Sequence, residues 1–213
     1  MGGKAQFPSK TEIASWYDGK AFITDWTTWH FPNWLKLLKP YRHRKLKVLE
    51  IGSWEGRSAL FFLNFLPQSR LTCIDTFAGG EEHKKSAAES RRNAKLLRSI
   101  ESRFDANTKA FATRIEKIRS QSIPALIDLG IKKRRFDFAY IDGGHRAAEV
   151  YADSALTWPM MARGGLVIFD DYRWDHMPDP LANPKPGIDA FLKSIEGQYR
   201  FVHRGYQVAV VKQ

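Results

Sequence analysis

From residue 45 onward the chain alternates short apolar runs with longer segments of helical period, and this alternation constrains the fold more than any other feature. "KLKVLEIG" (45–52) reads as a first buried strand and "GRSALFFLNFLP" (56–67) as a helix stopped by Pro67. "RLTCID" (70–75) is a second strand, followed by "EEHKKSAAESRRNAKLLRSIESRF" (81–104), a long charged helical region. A third strand falls at "RIEKIR" (114–119), and the short helix "SIPALIDLG" (122–130) closes on Gly130 as its C′ residue. "RFDFAYID" (135–142) and "GGLVIFDD" (164–171) are strands four and five, joined through the helix "AAEVYADSALTWPMMA" (147–162). The tail holds a helix near "GIDAFLKSIEG" (187–197) and two last strands, "YRFVH" and "YQVAVVK". Only Arg204 and Gly205 separate those strands, too little for a crossover helix, so they pair as an antiparallel hairpin. Repeated strand–helix units demand right-handed crossovers and helices on both faces, which gives an open α/β sheet with an antiparallel edge.

Residues 1–44 do not share this rhythm and form a separate aromatic-rich cap, with 45–213 as the cofactor-binding domain. Trp16, Trp26, Trp29 and Trp34 fall close together in the cap, either as packing over the sheet edge or as walls of a substrate cavity. The same aromatic surface, residues 7–34, is equally suited to a seam between two copies of the chain, a homo-oligomer. "MGGKAQFPSK" has no apolar leader core, no run of 18 uncharged apolar residues occurs, and the lone Cys73 cannot form an internal disulfide. These features predict a cytoplasmic protein with no membrane contact. The formal charge is +11, from 34 Lys and Arg against 23 Asp and Glu, and it is unevenly spread. Residues 36–47 carry six basic side chains and no acid, and "IKKRR" (131–135) carries four more. Solvated helix faces and pre-strand loops account for such runs, as does a nucleic-acid or other polyanion partner.

In open α/β sheets ligands sit beyond the C-terminal strand ends, so the residues there carry the functional reading. "LEIGSWEGRSA" places Glu50, Gly52, Ser53, Trp54 and Gly56 at the first strand-to-helix turn, where glycines allow close backbone approach. The spacing matches neither G-x-G-x-x-G nor a phosphate loop, which favours a nucleoside-bearing cofactor without a pyrophosphate. Asp75, followed by Thr76, ends strand two, where a carboxylate commonly grips a ribose. After strand three, Gln121 is a candidate for an adenine edge and Ser122 for the N-cap of the next helix. Asp142 ends strand four, and Asp170 with Asp171 ends strand five. If those strands are neighbours, three carboxylates converge, and like charges so placed call for a divalent cation, Mg²⁺ or Mn²⁺, unless they are caps and ion pairs. The Pro-rich stretch 177–187 is either a lid over this edge or a surface connection.

"VLEIGSWEGRSALFFLNFLP", "LTCIDTFAGG", "FAYIDGGHRAAEV" and "GGLVIFDDY", in this order, resemble the class I S-adenosylmethionine-dependent methyltransferases, and within them the group related to macrocin O-methyltransferase. The resemblance runs from about Lys45 to Gln213. It implies a Rossmann-like sheet of seven strands in the order 3-2-1-4-5-7-6, with Glu50 to Gly56 around the methionine part of S-adenosylmethionine, Asp75 on the ribose and Gln121 by the adenine. Asp142, Asp170 and Asp171 match the metal-holding positions of metal-dependent O-methyltransferases. Some members carry a base two residues beyond the first ligand, where this chain has Gly144. Related sugar methyltransferases place a histidine two beyond the acid pair, where this chain has Arg173. His145 is then the nearest titratable group to act as base beside Asp142. The expected activity is O-methylation of a small hydroxylated acceptor, a sugar or a phenol. RNA or anionic-polymer methylation and a non-catalytic cofactor-binding module stand as alternatives.

Overall fold

The computed structural model describes residues 7–80, 83–84 and 88–213. Its strands are β1 (Lys47–Ile51), β2 (Arg70–Asp75), β3 (Ile115–Arg119), β4 (Phe136–Ile141), β5 (Met161–Phe169), β6 (Tyr199–Arg204) and β7 (Val208–Lys212). They form one sheet in the order β3-β2-β1-β4-β5-β7-β6. β3, β2, β1, β4 and β5 run parallel, and β7 is antiparallel to both β5 and β6. Both the strand order and the final hairpin agree with expectation. The described helices are α1 (Lys10–Ser15), α2 (Phe31–Leu38), α3 (Arg57–Phe65), α4 (Arg91–Leu97), α5 (Ile100–Thr108), α6 (Ser122–Ile131), α7 (Ala147–Thr157) and α8 (Pro184–Ser194).

The central strands are buried on both faces, so alternate residues feed two cores. Val48, Phe138, Tyr140 and Ile168 join Trp34, Phe61, Phe62 and Phe65 on the α2–α3 side. Leu49, Ile51, Ala139, Ile141 and Phe169 join residues of α6 and α8 on the other. The tryptophans of the N-terminal segment divide. Trp34 is fully buried, with its ring 5.2 Å from Tyr140, while Trp26 and Trp29 are more than half exposed.

Several boundaries differ from the sequence reading. Gly130 lies inside α6, and the left-handed residue past its end is Lys133 (φ 54°). The residue capping α6 is Gln121 rather than Ser122, which is already in the first turn. The region 81–104 is not one helix over its described part. Ser90 caps α4 through its Oγ, and a break at Arg98–Ser99 starts α5, which runs on to Thr108. Residues 81, 82 and 85–87 of that expected helix lie outside the described residues. The helix begun at Ala147 stops at Thr157, and β5 starts at Met161. Between Phe136 and Phe138 the β4–β5 register shifts, absorbing Gly164 and Gly165 into a bulge. Helix α8 begins at Pro184, and Gly187 is needed within it because a Cβ there would lie 2.1 Å from the Ala147 carbonyl oxygen. The Pro-rich stretch is therefore loop only up to Asn183, whose Oδ1 accepts from the Met177 N–H at 3.0 Å. Among the described residues no helix is long and apolar enough to cross a membrane.

Candidate active site

The β1–α3 turn carries Gly52 and Gly56 with φ of 87° and 81°, and Trp54 is also left-handed (φ 47°). A Cβ on Gly52 would lie 1.7 Å from the Asp142 carbonyl oxygen, so this turn and the end of β4 are in direct contact. Gly56 serves packing instead, since a Cβ there would meet Thr108 at 2.9 Å and Phe104 at 3.1 Å. Asp75 secures the same turn. Its Oδ2 accepts from the Trp54 N–H at 2.8 Å and its Oδ1 from the Phe77 N–H at 2.5 Å. Burial raises the Asp75 pKa, opposed by those backbone donors. Thr76 Oγ1 accepts from Ala78 N–H, and Gln121, with an exposed side chain, follows Ser120, whose N–H donates to the Asp75 carbonyl.

Glu50 is fully buried. Ser58 Oγ donates to its Oε1 at 2.5 Å and Cys73 Sγ to its Oε2 at 3.4 Å, and burial pushes its pKa up to about 7. Glu50 therefore braces the turn from inside the sheet. Beside it, Ser53 Oγ and Trp54 Nε1 are buried polar atoms without a hydrogen-bond partner among the described residues. Such atoms are costly unless a ligand or water answers them. Together with the carboxylate of Asp75 they fit a polar nucleoside with an amino-acid tail.

At the ends of β4 and β5 the three aspartates do converge, but they divide in role. Side-chain atoms of Asp142, His145 and Asp171 all lie within 4.8 Å of one another, a set able to hold a metal ion. His145 Nε2 is 3.0 Å from Asp171 Oδ2, and Tyr206 Oη donates to Asp171 Oδ1 at 2.8 Å. Asp170 turns inward. Its Oδ2 accepts from Tyr140 Oη and from Gln207 Nε2 (2.9 Å), and its Oδ1 accepts from the Asp171 N–H (2.7 Å). His30 Nε2 approaches that Oδ1 at 3.5 Å. Gln207 in turn accepts from Trp34 Nε1 at 2.9 Å, and Tyr140 Oη also reaches Asp142 Oδ2 at 3.0 Å. Asp170, expected beside Asp142 and Asp171 as a ligand, thus has its oxygens engaged by the core.

Burial, then the neighbouring Asp170 and Asp171, drive the Asp142 pKa well above its ordinary range. Burial and then Asp171 push Asp170 up to about 7. Uncompensated negative charge at a mouth with two carboxylates and an imidazole suits a divalent cation by its donor chemistry. Burial lowers the His30 pKa to about 4, so this ring is neutral near pH 7. At the expected base position Gly144 is closed by Glu149, whose Oε2 would lie 2.2 Å from a Cβ there, and Arg173 is exposed. His30, Tyr206 and Gln207 were not singled out from the sequence.

Residues 49–172, more than half of the chain, match a family model described as a methyltransferase domain. The chain is 25% identical over 171 residues to the mycinamicin VI 2''-O-methyltransferase of Micromonospora griseorubida, covering 77% of this chain and 36% of that protein. The fold resembles that of the MycE methyltransferase from the mycinamycin biosynthetic pathway in complex with Mg and SAH, with a TM-score of 0.65, 19% identity, and coverage of 97% of this chain and 55% of that one. It also resembles the O-methyltransferase from Bacillus cereus in complex with SAH, with a TM-score of 0.59, 19% identity, and coverage of 98% and 94%. At these identities the likeness to solved structures establishes the fold alone. The chain spans 36% of the curated relative's length and 55% of the MycE chain.

Proposed function

This chain belongs to the methyltransferase-domain family, and on that premise we propose that it moves the methyl group of S-adenosylmethionine to a hydroxyl of a small acceptor with the help of Mg²⁺ or Mn²⁺. The observation that carries the reading is the contact between Gly52 and Asp142, which makes the glycine turn and the acidic cluster two walls of one mouth. In this reading Asp75 takes the ribose hydroxyls, Ser53 and Trp54 supply polar atoms around the amino-acid end, and Gln121 lies by the adenine. Asp142 and Asp171 would hold the cation, and Asp170 fixes the strand end beneath them. When bound, the sulfonium supplies an electrophilic methyl and the cation lowers the pKa of the acceptor hydroxyl.

The chain's own part is alignment and proton removal. Alignment of donor and acceptor is worth roughly 7–11 kcal/mol in favourable systems. His145, whose Nε2 lies 3.0 Å from Asp171 Oδ2 and is thereby oriented at the mouth, is the base that takes the hydroxyl proton. The exposed Trp29, its ring 4.6 Å from that of Tyr206, stands beside the cluster and offers a face to a sugar or phenol ring. A structure of the MycE enzyme holds mycinamycin VI together with Mg and SAH, which supports a small hydroxylated, macrolide-like acceptor here. Membership of the group related to macrocin O-methyltransferase is the finer form of this proposal.

Isothermal titration with S-adenosylhomocysteine, with and without Mg²⁺, followed by turnover against a library of diols and glycosides, tests the reading. Binding of the cofactor product and metal-dependent methylation are expected. Failure to bind it would remove the methyltransferase reading, whereas binding without turnover on any acceptor would favour a non-catalytic module.

A further inference from the structure

The parallel strands β1 to β5 all begin on one edge of the sheet, opposite the site just described. The segments before β1 and β4 are "RHRK" (42–45) and "KKRR" (132–135), and β2 itself opens on Arg70, so basic runs far apart in sequence meet there. A cavity of about 290 Å³ opens on this edge, with Lys47, Arg70, Arg114 and Arg134 set against one carboxylate, Glu116, beside Thr72. Two of the cations are already committed. Arg134 bonds Glu116 at 2.6 Å and Thr72 Oγ1 at 3.2 Å, and Arg114 donates to the carbonyls of Leu63, Leu66 and Ser69.

Lys47 and Arg70 are not committed. They face each other in register on β1 and β2, both are exposed, and among the described residues neither side chain has an acidic partner. The neighbouring Asp137 accepts instead from the Lys47 backbone N–H at 2.9 Å. Like charges side by side on neighbouring strands are destabilising unless an anion answers them. A concave, half-open cavity with a hydroxyl and a fixed guanidinium at its wall favours a compact oxyanion over an extended chain lying across a flat surface.

We infer that this edge carries a binding site for a small phosphoryl-type oxyanion, gripped by Lys47 and Arg70 and separate from the methyl-transfer mouth. Strands of five or six residues put the two sites on the order of 15–20 Å apart, so an occupant here does not enter the reaction. The site therefore stands or falls independently of the proposed activity.

The test is calorimetric titration of the full chain with inorganic pyrophosphate at low ionic strength in metal-free buffer, where the acidic cluster cannot recruit the anion through a cation. One-to-one saturable binding is expected, weakened at least about tenfold in Lys47→Ala/Arg70→Ala and retained in the charge-preserving Lys47→Arg/Arg70→Lys. S-adenosylhomocysteine affinity should not move in either variant, because both side chains are exposed at the sheet edge opposite the mouth. Absence of saturable binding, or equal binding by the double-alanine protein, would overturn the assignment. So would a short single-stranded RNA that binds far more tightly than pyrophosphate with a steep salt dependence, because it would make the edge a nucleic-acid surface.

Discussion

Gly52→Ala isolates the contact on which the shared mouth depends. Two costs apply at this position. A left-handed φ of 87° costs an L-residue roughly 1–2 kcal/mol, and a Cβ 1.7 Å from the Asp142 carbonyl oxygen forces the turn and the β4 end apart. Overpacking of this kind costs about 1–3 kcal/mol more, and the obstacle is backbone that cannot rotate away. Gly164→Ala is the control, since its φ is 77° and a Cβ there meets nothing within 4 Å. Urea unfolding should show a loss of about 2–5 kcal/mol for Gly52→Ala against about 1–2 kcal/mol for Gly164→Ala, with unchanged m-values. In a chain of this size each kcal/mol lowers the melting midpoint by roughly 2–4 °C, so the two variants separate in a thermal scan as well. S-adenosylhomocysteine affinity should fall in the first variant alone. Equal destabilisation of the two, or an unaltered affinity for Gly52→Ala, would refute the argument that turn and acid are coupled through this contact.

Asp142→Asn should abolish metal-dependent turnover while leaving S-adenosylhomocysteine binding largely intact, and paired calorimetry and methyl-transfer assays would show it. His145→Gln should lower turnover by roughly 10²–10⁴-fold, with cofactor-product binding unchanged. Asp170→Asn should cost about 2–4 kcal/mol of stability because an amide cannot accept from Tyr140, Gln207 and the Asp171 N–H together. Asp171→Asn should cost less than half of that and instead weaken divalent-ion binding, as read by urea midpoints and metal titration. Glu50 has a folded pKa of about 7, above the ordinary value of about 4.3, so the folded state binds its proton more tightly. The stability this lends is complete below about pH 4, is lost as pH climbs through 7, and amounts to roughly 3–4 kcal/mol. Relative to wild type, Glu50→Gln should therefore gain stability across that window, and parallel unfolding curves from pH 4 to 8 would reveal a flat difference if the reasoning fails.

Strand identities were legible because burial on both faces makes each central strand an unbroken apolar run. Helix ends were less so. Gly130 looked like a terminus by residue type, yet an exposed helix tolerates a glycine at modest cost, and the chain turns left-handed only at Lys133. The start of α4 and its division from α5 had local signals in Ser90 and Ser99, which the helical charge pattern around them obscured. Asp75, the glycine turn and the acids beyond β4 and β5 could be placed from the rule that parallel strand ends face the ligand. His30 escaped that rule because it arrives from the N-terminal aromatic segment. Tyr206 and Gln207 escaped it for a geometric reason. They precede β7, and only an antiparallel strand brings its beginning to the C-terminal end of β5, where Val208 pairs with Phe169. The expected hairpin already contained that consequence.

The same geometry explains why two adjacent acids are needed at the end of β5. Strand alternation alone would send neighbouring side chains to opposite faces, one into the α2–α3 core and one away from the mouth. Asp170 goes to that core, where Tyr140, Gln207 and Trp34 form a buried hydrogen-bonded chain around it. Asp171 leaves the strand in the left-handed region at φ 57°, a conformation aspartate tolerates better than most residues. Its carboxylate thereby reaches His145 and Tyr206 at the open edge. One acid anchors the strand end and its neighbour works at the surface of that anchor. Because Tyr140 contacts both Asp170 and Asp142, the spacing of the two strand ends is set by a hydroxyl inside the core. The position of the cluster is thus fixed by buried packing that no ligand has to organise.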